Sequence, residues 1–154
     1  MEPDEKNDKS SRLLAAINVT MKAHFILYVA DQQCSTEFYS STLGLRPTLN
    51  LPGMTEFSLG DETILGLMPE EGIFRLLGPG INHPSLARGI PRSELYLVVQ
   101  NAAAFHARAV AAGARELSSL TPREWGHSVA YSLDPDGHIL AFACPVDPAA
   151  GERI

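Results

Sequence analysis

Two residues stand at equivalent starts in a repeated pattern and carry side chains that can move protons. They are His24, first in HFILYV, and Glu94, first in ELYLVV, 70 positions later. If the imidazole and the carboxylate meet, Glu94 orients His24 and raises its basicity, giving a general base that needs no metal. Strand starts near water are also ordinary places for polar side chains. Other groups that invite a chemical reading have simpler ones. The DPDG run, Asp134 to Gly137, carries the residues of a tight turn. His127 and His138 are read as surface or turn residues, His106 as part of the exposed face of a helix, and His83 as part of a linker. Cys34 and Cys144 are read as small hydrophobes, with no CxxC or Cys/His zinc spacing around them. No Ser/His/Asp spacing, P-loop or GxGxxG is present, which leaves hydrolase and nucleotide-binding readings without support.

The elements that must position His24 and Glu94 come in two copies. HFILYV is followed by ADQQCSTEFYSSTLGL, a helix capped by Asp31 and stopped at Gly44. ELYLVV is followed by the alanine-rich QNAAAFHARAVAAGA, which stops at Gly113. Two hairpins then answer each other, FSLGDETILGL from Phe57 and YSLDPDGHILAF from Tyr131, the second with a longer turn. The expected strands are 24–29, 45–50, 54–59 and 63–68, then 94–99, 114–119, 127–133 and 139–144, with helices at 33–43 and 101–112. The α+β domain spans 21–147, as module 24–68, linker 69–93 and module 94–144, with an extension 1–20 and a tail 148–154. The apolar stretch LLAAI in the extension is expected to form a turn or two of helix at the periphery. The linker is too rich in Gly and Pro for a hairpin connection, and its length would let modules exchange between two chains, making a swapped homodimer.

The totals set limits on partners. A chain of 154 residues, 45% hydrophobic, is large enough to bury one core. A net charge of −6 argues against nucleic acid and suits a neutral or cationic small ligand. No apolar run approaches the roughly 18 residues of a membrane span. The polar start has no apolar segment of signal-peptide length, so a reducing cytoplasm is the expected setting.

In HFILYVAD with FYSSTLGL, and in AAGA, WGH and DPDGHILAF, the chain resembles the vicinal oxygen chelate superfamily of glyoxalase I, bleomycin-resistance proteins and extradiol dioxygenases. The resemblance implies two tandem βαβββ modules forming a cup-shaped mixed sheet. It also implies that metal-dependent members place ligands at the positions of His24, Gly66, Glu94 and Ala141. Gly66 and Ala141 carry no donor atom, and two ligands fall short of the three that catalytic metal sites usually take. Glu62 or His138 would substitute only if a hairpin turn folded inward. The expected cofactor is therefore none, with a divalent metal ion on His24 and Glu94 as the alternative.

Alternation then assigns faces, because residues two apart share a side. With His24 and Glu94 lining the cup go Ile26, Tyr28, Tyr96, Val98, Ile64, Gly66, Met68, Ile139, Ala141 and Ala143. Phe25, Leu27, Val29, Leu95, Leu97, Val99, Leu140 and Phe142 are expected in the core. Trp125, just before a strand, is placed to stack on a planar ligand. The sites expected are His24 and Glu94 for catalysis, and Ile26, Tyr28, Met68, Tyr96, Trp125 and Ala141 for ligand binding. The first reading is a metal-independent protein that holds a small organic molecule. The alternatives are a metal-dependent lyase, isomerase or dioxygenase, and an interaction module with an empty cup.

Overall fold

The computed structural model describes residues 21–146. Strand β1, Ala23–Val29, ends where Asp31 caps helix α1, Gln32–Leu43. The Asp31 carboxylate accepts the Cys34 amide at 2.9 Å, and that bond holds its carboxyl below the usual value. Gly44, at φ 66°, closes the helix in the left-handed conformation that glycine adopts without strain. β2 (Leu49–Leu51), β3 (Met54–Gly60) and β4 (Thr63–Pro69) complete the first module. After α2, Glu70–Leu77, and a short 3₁₀ turn at Pro84–Ala87, the second module repeats the order as β5 (Glu94–Val98), α3 (Ala102–Ala111), β6 (Arg115–Pro122), β7 (His127–Leu133) and β8 (Ile139–Pro145).

The two sheets have the same topology, β1-β4-β3-β2 and β5-β8-β7-β6. In each, the first strand runs parallel to the last and the remaining pairs are antiparallel. The expected α+β fold of two tandem βαβββ modules is therefore what forms. One core joins the modules: Leu27, Val29, Leu65 and Leu67 of the first sheet, Leu140 and Phe142 of the second, and Phe38, Tyr39, Ala102 and Ala109 of helices α1 and α3. Burying such side chains contributes about 1.5–3 kcal/mol each for the larger ones.

The second hairpin turn adds a polar joint to this core. The buried Tyr39 hydroxyl of α1 donates to Asp134 Oδ2 at 2.5 Å, and Asp134 Oδ1 accepts the amides of Asp136 and His138. Asp136 takes the Ala30 amide and the Ser35 hydroxyl, while His138 bonds through Nε2 to the Tyr28 carbonyl and through Nδ1 to Ser93. The connecting segment joins in, since Arg92 Nη2 donates to the Asp136 carbonyl at 2.6 Å and the Arg92 guanidinium faces the buried Glu70.

Several expectations are corrected. Residues 69–93 contain helix α2, whose EEGIFRLL buries Ile73 and Glu70. The glycines and prolines at its borders hid its helical spacing. Of the expected strand 45–50 only Leu49 and Asn50 pair, and the strand runs on to Leu51. Phe25, near the start of an edge strand, is 59% exposed. His106 is buried beside Ala102 and Ala109, with Nε2 2.8 Å from Glu116. His138 is buried, whereas Cys34 is exposed. LLAAI, with the extension that holds it, and residues 147–154 lie outside the described residues.

Candidate functional site

The faces of the two sheets turned away from the shared core carry the candidate site residues. On the first sheet the register sets His24 opposite Ile64, Ile26 opposite Gly66 and Tyr28 opposite Met68, with Glu56 of β3 opposite Gly66 from the other side. His24 Nδ1 lies 3.1 Å from Glu56 Oε2. His24 therefore has a carboxylate partner on its own sheet, and among the described residues no hydrogen bond or ion pair joins it to Glu94. On this sheet Glu56 is the residue that sequence reasoning missed. Its place two residues from Met54 and Ser58 on an alternating strand was the available signal.

Gly66 is buried, and the space above it is occupied. A Cβ added there would meet Ile26 Cγ1 at 3.0 Å and Met54 Sδ at 3.4 Å. A side chain at this position would press on Ile26, which would have to give by a few tenths of an ångström, while Met54 stands at ordinary contact distance. Met68 borders the same region, with its methyl 3.6 Å from a Cβ built on Gly72 of α2.

The second sheet carries a different set. Tyr96 faces Ala141, and Ala141 faces Tyr131. Val129, Ala141 and Ala143 are fully buried as a floor, with Tyr96 and Tyr131 packed against it. Above the floor runs a hydrogen-bonded chain. Trp125 Nε1 donates to the Tyr96 oxygen at 3.0 Å, and Tyr96 lies 2.5 Å from His127 Nδ1 with the two rings stacked. Because an indole only donates, the Tyr96 oxygen accepts from it, and the direction of the Tyr96–His127 bond follows the His127 tautomer. Trp125 remains 59% exposed.

Arg123 flanks this face, its guanidinium 5.2 Å from the Tyr131 ring centre and bonded to the Ser118 hydroxyl and the Val129 carbonyl. Its buried Nε has no partner. Burial raises the Tyr131 phenol above its usual pKa, and the nearby Glu94 carboxylate adds to the rise. Of the expected set, Tyr96, Trp125 and Ala141 thus gather on one face, and His24, Ile26, Tyr28 and Met68 lie on the other sheet. His127, Tyr131 and Arg123 join the second group without having been expected there. The WGH run and the alternation of β7 were their only signal.

A metal finds few donors within one chain. Among the described residues no group of three or more His, Cys, Asp or Glu side chains stands close enough to hold an ion. His138, one possible substitute, is committed to Ser93 and Tyr28. Among the described residues no helix is long and apolar enough to cross a membrane.

The family model described as Glyoxalase/Bleomycin resistance protein/Dioxygenase superfamily matches residues 22–142. Among solved structures, a glyoxalase-related enzyme from Fulvimarina pelagi is 25% identical, with 82% of this chain and 91% of that one covered and a TM-score of 0.68. A glyoxalase/bleomycin resistance protein/dioxygenase from Nocardioides is 18% identical, with 92% and 95% covered and a TM-score of 0.66. TioX from Micromonospora sp. ML1 is 19% identical, with 80% and 97% covered and a TM-score of 0.59. No curated protein matches the chain.

Proposed function

We propose, since the chain belongs to the Glyoxalase/Bleomycin resistance protein/Dioxygenase superfamily, that it binds a small organic molecule without a metal ion, in a cup shared by two copies in the cytoplasm. The observation that carries this reading is the exposed Trp125–Tyr96–His127 chain over a floor of buried alanines. Planar rings bind such a surface by stacking, and the phenol and imidazole offer directional hydrogen bonds. In this reading the second sheet of one protomer faces the first sheet of its partner, so that Tyr96 and Trp125 oppose Ile26, Tyr28 and Met68. Each chain's lining faces are turned from its own core, which leaves them free to face a second copy. With Glu94, Glu56 and the overall charge of −6, the cup suits a neutral or cationic ligand.

Trp125 is the single tryptophan, so its fluorescence reports on the site directly. Titration with neutral, cationic and anionic aromatic compounds is expected to give saturable quenching by members of the first two classes, weakened about tenfold or more in Tyr96→Phe. Quenching by none of them would leave an interaction module with an empty cup.

A second reading rests on the His24–Glu56 pair. In a shared cup the partner subunit's Glu94 would bring the donors to three, the number a catalytic divalent metal commonly takes. The protein would then be a metal-dependent lyase, isomerase or dioxygenase. Elemental analysis after incubation with Ni, Co, Mn, Fe and Zn, followed by dialysis, decides between the two. A stoichiometric ion lost in His24→Ala favours the second.

A further inference from the structure

The connection between the modules gathers three side chains that the ligand reading does not use. Helix α2 carries Glu71, and the 3₁₀ turn at Pro84–Ala87 has His83 as its cap and Ser85 inside it. The His83 ring bridges the other two. Its Nδ1 is 2.7 Å from the Ser85 hydroxyl, and its Nε2 is 2.7 Å from Glu71 Oε1. Two supports hold the ring in place. Phe74 of α2 packs against it with ring centres 5.0 Å apart, and the buried Glu70, beside Glu71, meets Arg88 at the end of the turn at 3.4 Å. The spacing 71, 83, 85 matches no hydrolase motif and gains meaning only once α2 lies against the turn.

One further bond fixes the protons. The Ser85 amide donates to the same Nδ1 at 3.1 Å, and a backbone amide can only donate. Nδ1 therefore offers a lone pair, and the neutral ring holds its hydrogen on Nε2, toward the Glu71 carboxylate. The Ser85 hydroxyl, facing an acceptor, directs its own hydrogen to Nδ1. A hydroxyl on an imidazole lone pair, with a carboxylate behind the ring, is the arrangement that makes an alcohol nucleophilic. The two ring nitrogens are exchanged relative to the serine proteases, but each lies in the ring plane, so the roles of base and orienting carboxylate carry over. Ser85 is only half-buried, and Leu86 beside it and Ile90 after the turn are exposed, which gives an acyl chain apolar surface to lie on.

We propose that Ser85 is a nucleophile, activated by His83 and Glu71, that cleaves carboxylic esters of good leaving alcohols. Ser85 Oγ bonds to the carbonyl carbon while its proton passes to His83 Nδ1, and Glu71 steadies the imidazolium. The tetrahedral carbon then expels the alcohol, which takes that proton and leaves an acyl-serine. Water attacks the acyl carbon, giving a proton to His83, and Ser85 departs with it as the acid is released. The proposal is independent of the ligand reading, since none of the three residues belongs to the Trp125–Tyr96–His127 chain or the His24–Glu56 pair.

A fluorophosphonate probe and p-nitrophenyl acetate, used on the full chain, test it. The probe is expected to add to Ser85 alone, with loss of fluoride, in the folded chain and not in urea, as read by peptide mass spectrometry. His83→Ala is expected to slow both this labelling and nitrophenol release about a hundredfold. Glu71→Gln, at an exposed position that leaves the fold intact, is expected to slow them about tenfold. A folded chain that takes no label at Ser85 would overturn the proposal, as would equal labelling in urea. Labelling of Ser85 indifferent to His83→Ala, or nitrophenol release undiminished in Ser85→Ala, would overturn it as well.

Discussion

The first hairpin turn and the second descend from the same pattern, an aromatic-Ser-Leu strand returning through Ile-Leu, yet they meet the rest of the molecule differently. The second places Asp134, Asp136 and His138 against Tyr28, Ala30, Ser35 and Tyr39 of the other module. The first makes its Ala23–Glu62 bond inside its own sheet. Strand register survived the repetition, and the turns, which sheet pairing leaves free to vary, diverged. The lining faces diverged in the same way. Gly66 and Ala141 sit at matching registers, one pressed under Ile26 and Met54, the other between two phenols.

The comparison can be broken most forcefully at Asp134. Asp134→Ala leaves the Tyr39 hydroxyl and two amides without their acceptor in a buried place, and a loss of about 3 kcal/mol in denaturant-unfolding stability is expected. The matching change in the short turn, Asp61→Ala, is expected to cost less than about 0.5 kcal/mol, and equal losses would refute the contrast. Next come the paired small residues. Ala141→Leu is expected to cost about 1–3 kcal/mol by overpacking beneath Tyr96 and Tyr131, and Gly66→Ala about 1 kcal/mol, both by the same measurement.

A pH series sharpens the account of the second turn. Burial, the largest influence, raises the Asp134 carboxyl above its usual value, against the opposing pull of the Tyr39 hydroxyl and His138. A carboxyl raised in the folded state contributes stability that is present below its unfolded pKa and lost as pH climbs through the folded one. The stability of Asp134→Asn relative to the unaltered chain is therefore expected to improve as pH rises from the ordinary aspartate range, 3.8, through the raised one. An opposite slope would show that the bonds to the ionised form win. The smallest effect is expected at Glu56→Gln. Removing one side of the partly exposed His24 pair is expected to change stability by less than about 1 kcal/mol, read from the same unfolding curves.

The repeat and the order of elements along each module were legible because alternation and glycine stops recur at nearly constant offset. The core face was legible for Leu27, Val29, Leu140 and Phe142, and alternation also placed Tyr96 and Ala141 on one face. What escaped depends on neighbours distant in sequence. Glu56 acquires meaning only when β3 lies beside β4 and β1, and His127 only when Tyr96 crosses to it. The turn reading of DPDG was right about its backbone but silent about its burial, since a turn sequence does not reveal what it docks against. His106 had a signal that was passed over. It shares the stripe 102, 106, 109 on a helix whose buried side is otherwise alanine.

The joint at the second turn also orders events in time. Its bonds connect groups 95, 106 and 110 residues apart, and every acceptor or donor on the first-module side is made early in the chain. A polypeptide emerging from the ribosome would therefore present Tyr39 and the Tyr28 carbonyl to solvent, or to whatever chaperone waits there, until the last strands of the second half arrive. The first half is born with its lock open, and the key is made only with the second half.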